Sequence, residues 1–193
     1  LNFYSFAKGV VSCVLKPLYR IEVIGAERFP KEGGVLLCAN HISNFDPPVV
    51  GITAPRPIHF MAKEELFRVP ILKTLLPPLN AFPVKRGMSD RQALRTGLDI
   101  LKQGRVFGIF PEGTRSKDGK LQKGLSGVGF FALRTDAQVV PCAIIGPYRP
   151  LKKLKVVYGE PIAMDELRKQ KASPEEATEY IMRHIQALLD EHQ

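Results

Sequence analysis

The sequence predicts a single α/β domain, a largely parallel or mixed sheet flanked by helices, with an amphipathic helix at its N-terminus. Three observations carry that expectation. Short apolar runs of strand length alternate with segments whose apolar residues fall three and four apart. The 193 residues, 45% hydrophobic, suit one core, and the 16 glycines and 16 prolines are scattered rather than gathered into a linker. Polar clusters follow directly on the apolar runs, where sheets of this class collect their function.

The first element is "LNFYSFAKGVVSCVLKPLYR". Phe3, Phe6, Ala7, Val10, Val11, Val14, Leu15 and Leu18 keep helical spacing, Lys8, Lys16 and Arg20 interrupt or flank them, and Pro17 is placed to end or kink the helix. The stretch is too short and too charged for a span, which needs about 18 apolar residues, and it lacks the cleavage site of a signal peptide. Such a helix either packs on the domain or lies in a membrane interface. Residues 1–20 therefore read as an interface segment and 21–193 as the domain proper. Strands are expected at 35–39, 58–61, 81–84, 106–110, 139–145 and 155–158. Helices are expected at 48–53, 64–76, 89–103 and 126–134, with a last one at 173–191. In that last helix Ser173 is the N-cap, Pro174 the first helical residue and Glu176 the capping-box acid.

Charge narrows the partners. Residues 59–123 hold thirteen Lys/Arg against six Asp/Glu, residues 1–58 six against four, and residues 124–193 nine of each. The net +9 is thus concentrated in the middle third, which favours an anionic partner. Cys13, Cys38 and Cys142 are odd in number and far apart, as expected of small buried hydrophobes in a reducing compartment; no metal site is expected.

Three strand-end clusters carry possible chemistry. The first is "NHISNFDPP", residues 40–48. Five residues correspond to about 140° of rotation on a helix, so His41 and Asp46 cannot share a helical face. A turn with Asp46 as N-cap of a helix starting at Pro47 could fold the carboxylate back onto the imidazole. His41 is then either a general base oriented by Asp46 or a structural histidine beside a cap. The second cluster, "FPVKRG", puts Lys85 and Arg86 beyond a strand. The third, "GIFPEGTRSKDGKLQKG", places Glu112, Gly113, Thr114 and Arg115 after a strand. It ends on Lys123 and Gly124, just before a helix start whose free N–H groups suit phosphate.

In this order, "NHISNFD", "FPVKRG", "FPEGTRS" and "VVPCAI" resemble the four sequence blocks of the glycerolipid acyltransferase family, particularly its bacterial 1-acylglycerol-3-phosphate members. "MAKEELFRVPIL" and "VVYGEPI" add to the likeness, which runs over residues 21–162. The resemblance implies acyl transfer from acyl-CoA or an acyl carrier protein to the 2-hydroxyl of lysophosphatidic acid, without a cofactor. It makes His41 the base and Asp46 its orienting partner. It assigns Arg86, Glu112, Gly113, Thr114, Arg115, Lys123 and Gly124 to acceptor binding. Family members often read "FKKG" where this chain has "LQKG". A lipid acceptor further implies docking on an anionic membrane surface, peripheral or monotopic, at the cytoplasmic face of the cell membrane. Two alternatives stay open: the same chemistry on glycerol 3-phosphate or another lysolipid, and a non-catalytic basic membrane-binding module. A nucleic-acid partner is not expected, since aromatic and basic residues do not interleave.

Overall fold

A computed structural model describes residues 3–85 and 90–193 of the chain. Helix α1 (Phe3–Leu18) leads into β1 (Ile21–Ile24) and β2 (Val35–Ala39), followed by α2 (Asp46–Thr53) and β3 (Ile58–Lys63). A 3-10 turn (Glu64–Arg68), α3 (Pro70–Leu75) and a second 3-10 turn (Pro77–Leu79) precede β4 (Ala81–Val84). Then come α4 (Arg91–Lys102), β5 (Val106–Ile109), α5 (Gly127–Arg134), β6 (Gln138–Ile145), β7 (Leu154–Tyr158), α6 (Asp165–Lys169) and α7 (Pro174–His192).

The seven strands form one sheet in the order β1-β7-β6-β2-β5-β3-β4. Its neighbours run parallel except β6 and β7, so the sheet is mixed, and β2 sits between β6 and β5. The C-terminal ends of β2, β3, β4, β5 and β6 consequently share one edge.

Period-two alternation builds a core on each face. Leu36, Cys38, Phe107 and Val139 pack with Ile100, Phe131, Ile181 and Ile185 from α4, α5 and α7. Val35, Leu37, Ala39 and Val140 pack with Val49, Val50 and Ile52 of α2 and with Leu15 and Tyr19 at the end of α1. Burial on both faces explains why β2 reads as an unbroken apolar run.

Local signals set the ends of elements. The Ser173–Glu176 capping box and Pro174 open α7 as expected. Asp90 caps α4, accepting from Gln92 N and Ala93 N; Ser89, the expected start, lies outside the described residues. The single helix expected over 64–76 is split, because Pro70 holds Val69 extended (φ −76°, ψ 123°) and supplies the first turn of α3. β1 and α6, each of five residues or fewer, were not anticipated. Helix α1 ends one residue beyond Pro17. It buries one stripe and leaves Phe3, Phe6, Val10 and Val14 exposed. Cys13 lies off that stripe and is exposed, a correction to its expected burial, whereas Cys38 and Cys142 are buried. Among the described residues no helix is long and apolar enough to cross a membrane.

Candidate active site

The site is assembled where β2, the central strand of the seven, releases the chain between the ends of β5 and β6. Asn40 makes the exit. Its Oδ1 accepts from Ile144 N (2.7 Å) and its Nδ2 donates to Ile144 O (3.0 Å), so a side chain continues the β2–β6 ladder while the backbone turns away. His41 follows, 9% exposed. Its ring stacks on Phe110 at 4.3 Å and 22°, and Phe110 stacks in turn on Phe60 at 5.8 Å and 9°. Gly108 makes room for that stack, since a Cβ there would lie 2.4 Å from Phe60 Cε1.

Asp46 does fold back onto the imidazole, with Oδ2 2.7 Å from His41 Nδ1. It does so from the first turn of α2, and its carboxylate caps no helix amide, so the expected N-cap role is corrected. Pro47 and Pro48 offer no N–H ahead of it. The donors lie behind instead: Ile42 N and Ser43 N both reach Oδ2 at 2.7 Å, and the Tyr148 hydroxyl reaches Oδ1 at 2.6 Å. Asp46 is fully buried, and both of its oxygens have hydrogen-bond partners, as a buried carboxyl group requires. Oδ2 also accepts from two backbone amides, and with it accepting at Nδ1 as well, that nitrogen carries the N–H and the Nε2 lone pair is free to take a proton.

Glu112, directly beyond β5, is 4% exposed and works on backbone. Oε1 accepts from His41 N at 2.6 Å and Oε2 from Gln122 N at 2.8 Å. Burial raises its titration above the ordinary carboxylate value, the two amide donors opposing that rise. Further along the same loop, Ser116 N donates to His41 O at 2.8 Å. His41 is therefore gripped through both its N–H and its C=O by one loop. Gly113, at φ +66°, turns that loop, and the arch it forms carries Thr114 and Arg115 outward, both exposed.

The other residues singled out in the sequence are placed as follows. Lys123 is exposed. Gly124 packs against α7, where a Cβ would come within 2.6 Å of Thr178 Cγ2. Lys85 is exposed beyond β4, its N–H bonded to Asp90. Arg86 lies outside the described residues. Arg115, Lys117, Lys120 and Lys123 form no ion pair with another described residue, so their charges are available to an anion, and Thr114 is exposed beside Arg115. An apolar groove of about 300 Å³ runs between α1 and the 58–81 segment. Tyr4, Ala7, Lys8 and Val11 form one wall, and Phe60, Leu66, Leu76 and Leu79 another. Asn44, Pro47 and Pro48 bring its mouth to the His41 loop.

Sequence reasoning missed Tyr148 and the Phe110 and Phe60 stack. Tyr148 lies 102 residues from Asp46 in "GPYRP", which carries no local signal. Phe110 was absorbed into an expected strand.

The arrangement supports proton abstraction by His41 Nε2 beside a cationic rim. Cys38 and Cys142 are poor nucleophiles, because full burial pushes both thiols far above their ordinary range.

Known proteins resemble the chain in sequence and in fold. The 1-acyl-sn-glycerol-3-phosphate acyltransferase of Bacillus subtilis is 31% identical over 166 residues, 82% of each chain. The protein of that name from Borreliella burgdorferi is 32% identical over 128 residues, 65% of this chain and 51% of its own, so the chain spans only about half of that relative. The crystal structure of PlsC, the 1-acyl-sn-glycerophosphate (LPA) acyltransferase of Thermotoga maritima, superposes with a TM-score of 0.75 at 26% identity. The match covers 98% of this chain and 78% of that one. The profile of the family described as acyltransferase matches residues 20–145, from the end of α1 to the end of β6, and the chain belongs to that acyltransferase family as an O-acyltransferase.

Proposed function

We propose that the chain transfers a fatty acyl group from acyl-CoA or an acyl carrier protein to the 2-hydroxyl of 1-acylglycerol 3-phosphate, giving phosphatidic acid. His41 Nε2 takes the hydroxyl proton as the oxygen attacks the thioester carbonyl, and Asp46 stabilises the imidazolium that forms. Collapse of the tetrahedral intermediate expels the thiolate, which recovers the proton from His41. Arg115, Thr114 and Lys123, with Arg86, hold the acceptor phosphate. Gly113 provides the turn, Glu112 steadies the loop, and Gly124 seats the segment on α7. The groove at the His41 loop takes an acyl chain. The exposed face of α1, with Phe3, Phe6, Val10 and Val14, rests on an anionic leaflet and makes the protein peripheral to the cytoplasmic face of the membrane.

One observation carries the reading: Ser116 N on His41 O and Glu112 Oε1 on His41 N fasten the Thr114–Arg115 arch directly to the base. A phosphate held by the arch then places its glycerol beside Nε2. The names of the relatives support the choice of acceptor.

The test is thiol release from an acyl thioester with a panel of acceptors: lysophosphatidic acid, other lysophospholipids and glycerol 3-phosphate. Lysophosphatidic acid should give the highest kcat/KM, and His41→Ala should lower turnover by about 10²–10⁴-fold. Another preferred acceptor corrects the substrate. No release with any acceptor, or His41→Ala turning over like the wild type, removes the reading.

A further inference from the structure

We propose that Tyr148 is a positioning residue for acyl transfer, its hydroxyl fixing Oδ1 of Asp46 so that Oδ2 stays aimed at His41. The inference rests on the reading of His41 and Asp46 as the reacting pair.

The two oxygens of Asp46 are held differently. Oδ2 receives three donors from the residues just before it, whereas Oδ1 receives the Tyr148 hydroxyl from the loop after β6. A carboxylate turns easily about its last torsion. Gripping one oxygen alone leaves that rotation to be stopped by crowding, and a donor on the second oxygen stops it directly.

Tyr148 is itself firmly placed. Its ring lies edge-on to Tyr19 at 5.3 Å and stacks on Phe45 at 6.2 Å. Its loop leaves β6 through Gly146 (φ +115°), where a Cβ would lie 2.7 Å from Lys153 O. The loop is then fastened to the end of α1, with Leu151 N on Leu18 O (2.7 Å) and Leu154 N on Tyr19 O (3.0 Å). Burial, with the negative charge of Asp46 beside it, pushes the phenol far above its ordinary titration, so it remains a donor at every pH at which the enzyme works. The hydroxyl thus steers the carboxylate by donating to it.

Tyr148→Phe removes the hydroxyl and keeps the ring against Tyr19 and Phe45, and two measurements separate positioning from packing. In steady-state kinetics kcat should fall roughly tenfold, the kinetic equivalent of one modest hydrogen bond, with both KM values unchanged. In proton NMR the downfield His41 Nδ1–H resonance, identified by its loss in His41→Ala, should shift. In an Asp46→Asn background Tyr148→Phe should cost nothing further. Should Tyr148→Phe fold poorly, 3-fluorotyrosine at position 148 keeps ring and hydroxyl, donates more strongly, and should move the resonance in the opposite direction.

Wild-type kcat with an unmoved resonance in Tyr148→Phe overturns the proposal. So does a change in KM alone, an equal loss in the Asp46→Asn background, or a fluorotyrosine protein whose resonance stays put. If the wild type turns over no acceptor, the proposed function fails, and the resonance alone decides whether Tyr148 positions Asp46.

Discussion

Replacing Glu112 by glutamine changes one acceptor atom and almost no volume, yet it separates two roles for this residue. A carboxylate contacting the acceptor lipid would lose substrate affinity. The structure instead has Oε1 on His41 N at 2.6 Å and Oε2 on Gln122 N at 2.8 Å. In Glu112→Gln one of these atoms becomes an NH₂ group facing an N–H. One hydrogen bond to an ionised group is lost, worth about 1.5–3 kcal/mol, and one buried amide loses its partner. The change also removes the cost of burying a charge, which is what raises the Glu112 titration, so the net loss should be about 1–2 kcal/mol. At about 2–4 °C per kcal/mol for a chain of this size, Tm should fall by about 2–8 °C. Because His41 is held through the same bond, kcat should fall while KM for the acceptor stays constant. The pH dependence has a fixed sign. A carboxyl whose titration is raised by folding holds a proton that the unfolded chain has released, so stability declines as pH rises through that window. The glutamine variant lacks this slope, and the wild-type advantage should narrow with rising pH. Thermal melts across pH and steady-state kinetics make the check. An unchanged Tm with a raised KM would refute the bracing role and return Glu112 to the acceptor site.

Two further outcomes follow from exposed or groove-lining positions. Phe6 and Val10 are 60% and 50% exposed on α1, so changing both to Glu should leave Tm unaltered while reducing flotation on anionic vesicles; undiminished flotation would place membrane binding elsewhere. Gly51 lines the groove, with room beyond its Cβ position (3.8 Å to Tyr4 Oη), so Gly51→Leu should shift donor preference to shorter acyl thioesters. An unchanged chain-length profile would show that the acyl chain lies outside this groove.

What was legible in the sequence was local or periodic. Val35–Ala39 reads as a strand because it is buried on both faces, and the α7 cap is a four-residue pattern. His41 and Asp46 were legible as a pair because both lie in one turn, and the likeness to a known family gave the flanking blocks their roles. The strand β1 was not legible, because four residues are too short a run for the Ile21-Glu22-Val23 alternation to stand out. Tyr148 and Phe60 were not legible either. Their places depend on which strands become neighbours, and only the order β6-β2-β5-β3 brings them to the end of β2. The grip of Glu112 on His41 N belongs to the same class, because it is a contact across 71 residues.

The prolines after Asp46 show how local chemistry and topology combine. In a helix start without them, an aspartate has amides ahead of it and spends its carboxylate on them. Pro47 and Pro48 remove those donors, while Val49 N bonds to Phe45 O and so leaves no amide in the first turn for the side chain. The carboxylate turns back by default and finds Ile42 N, Ser43 N and His41 Nδ1. The parallel neighbours of β2 then close the turn from outside, Glu112 from β5 on the backbone of His41 and Tyr148 from β6 on Asp46. A dipeptide that supplies no hydrogen bond thereby decides that the Asp46 carboxylate points at His41. The sheet order decides that it stays there.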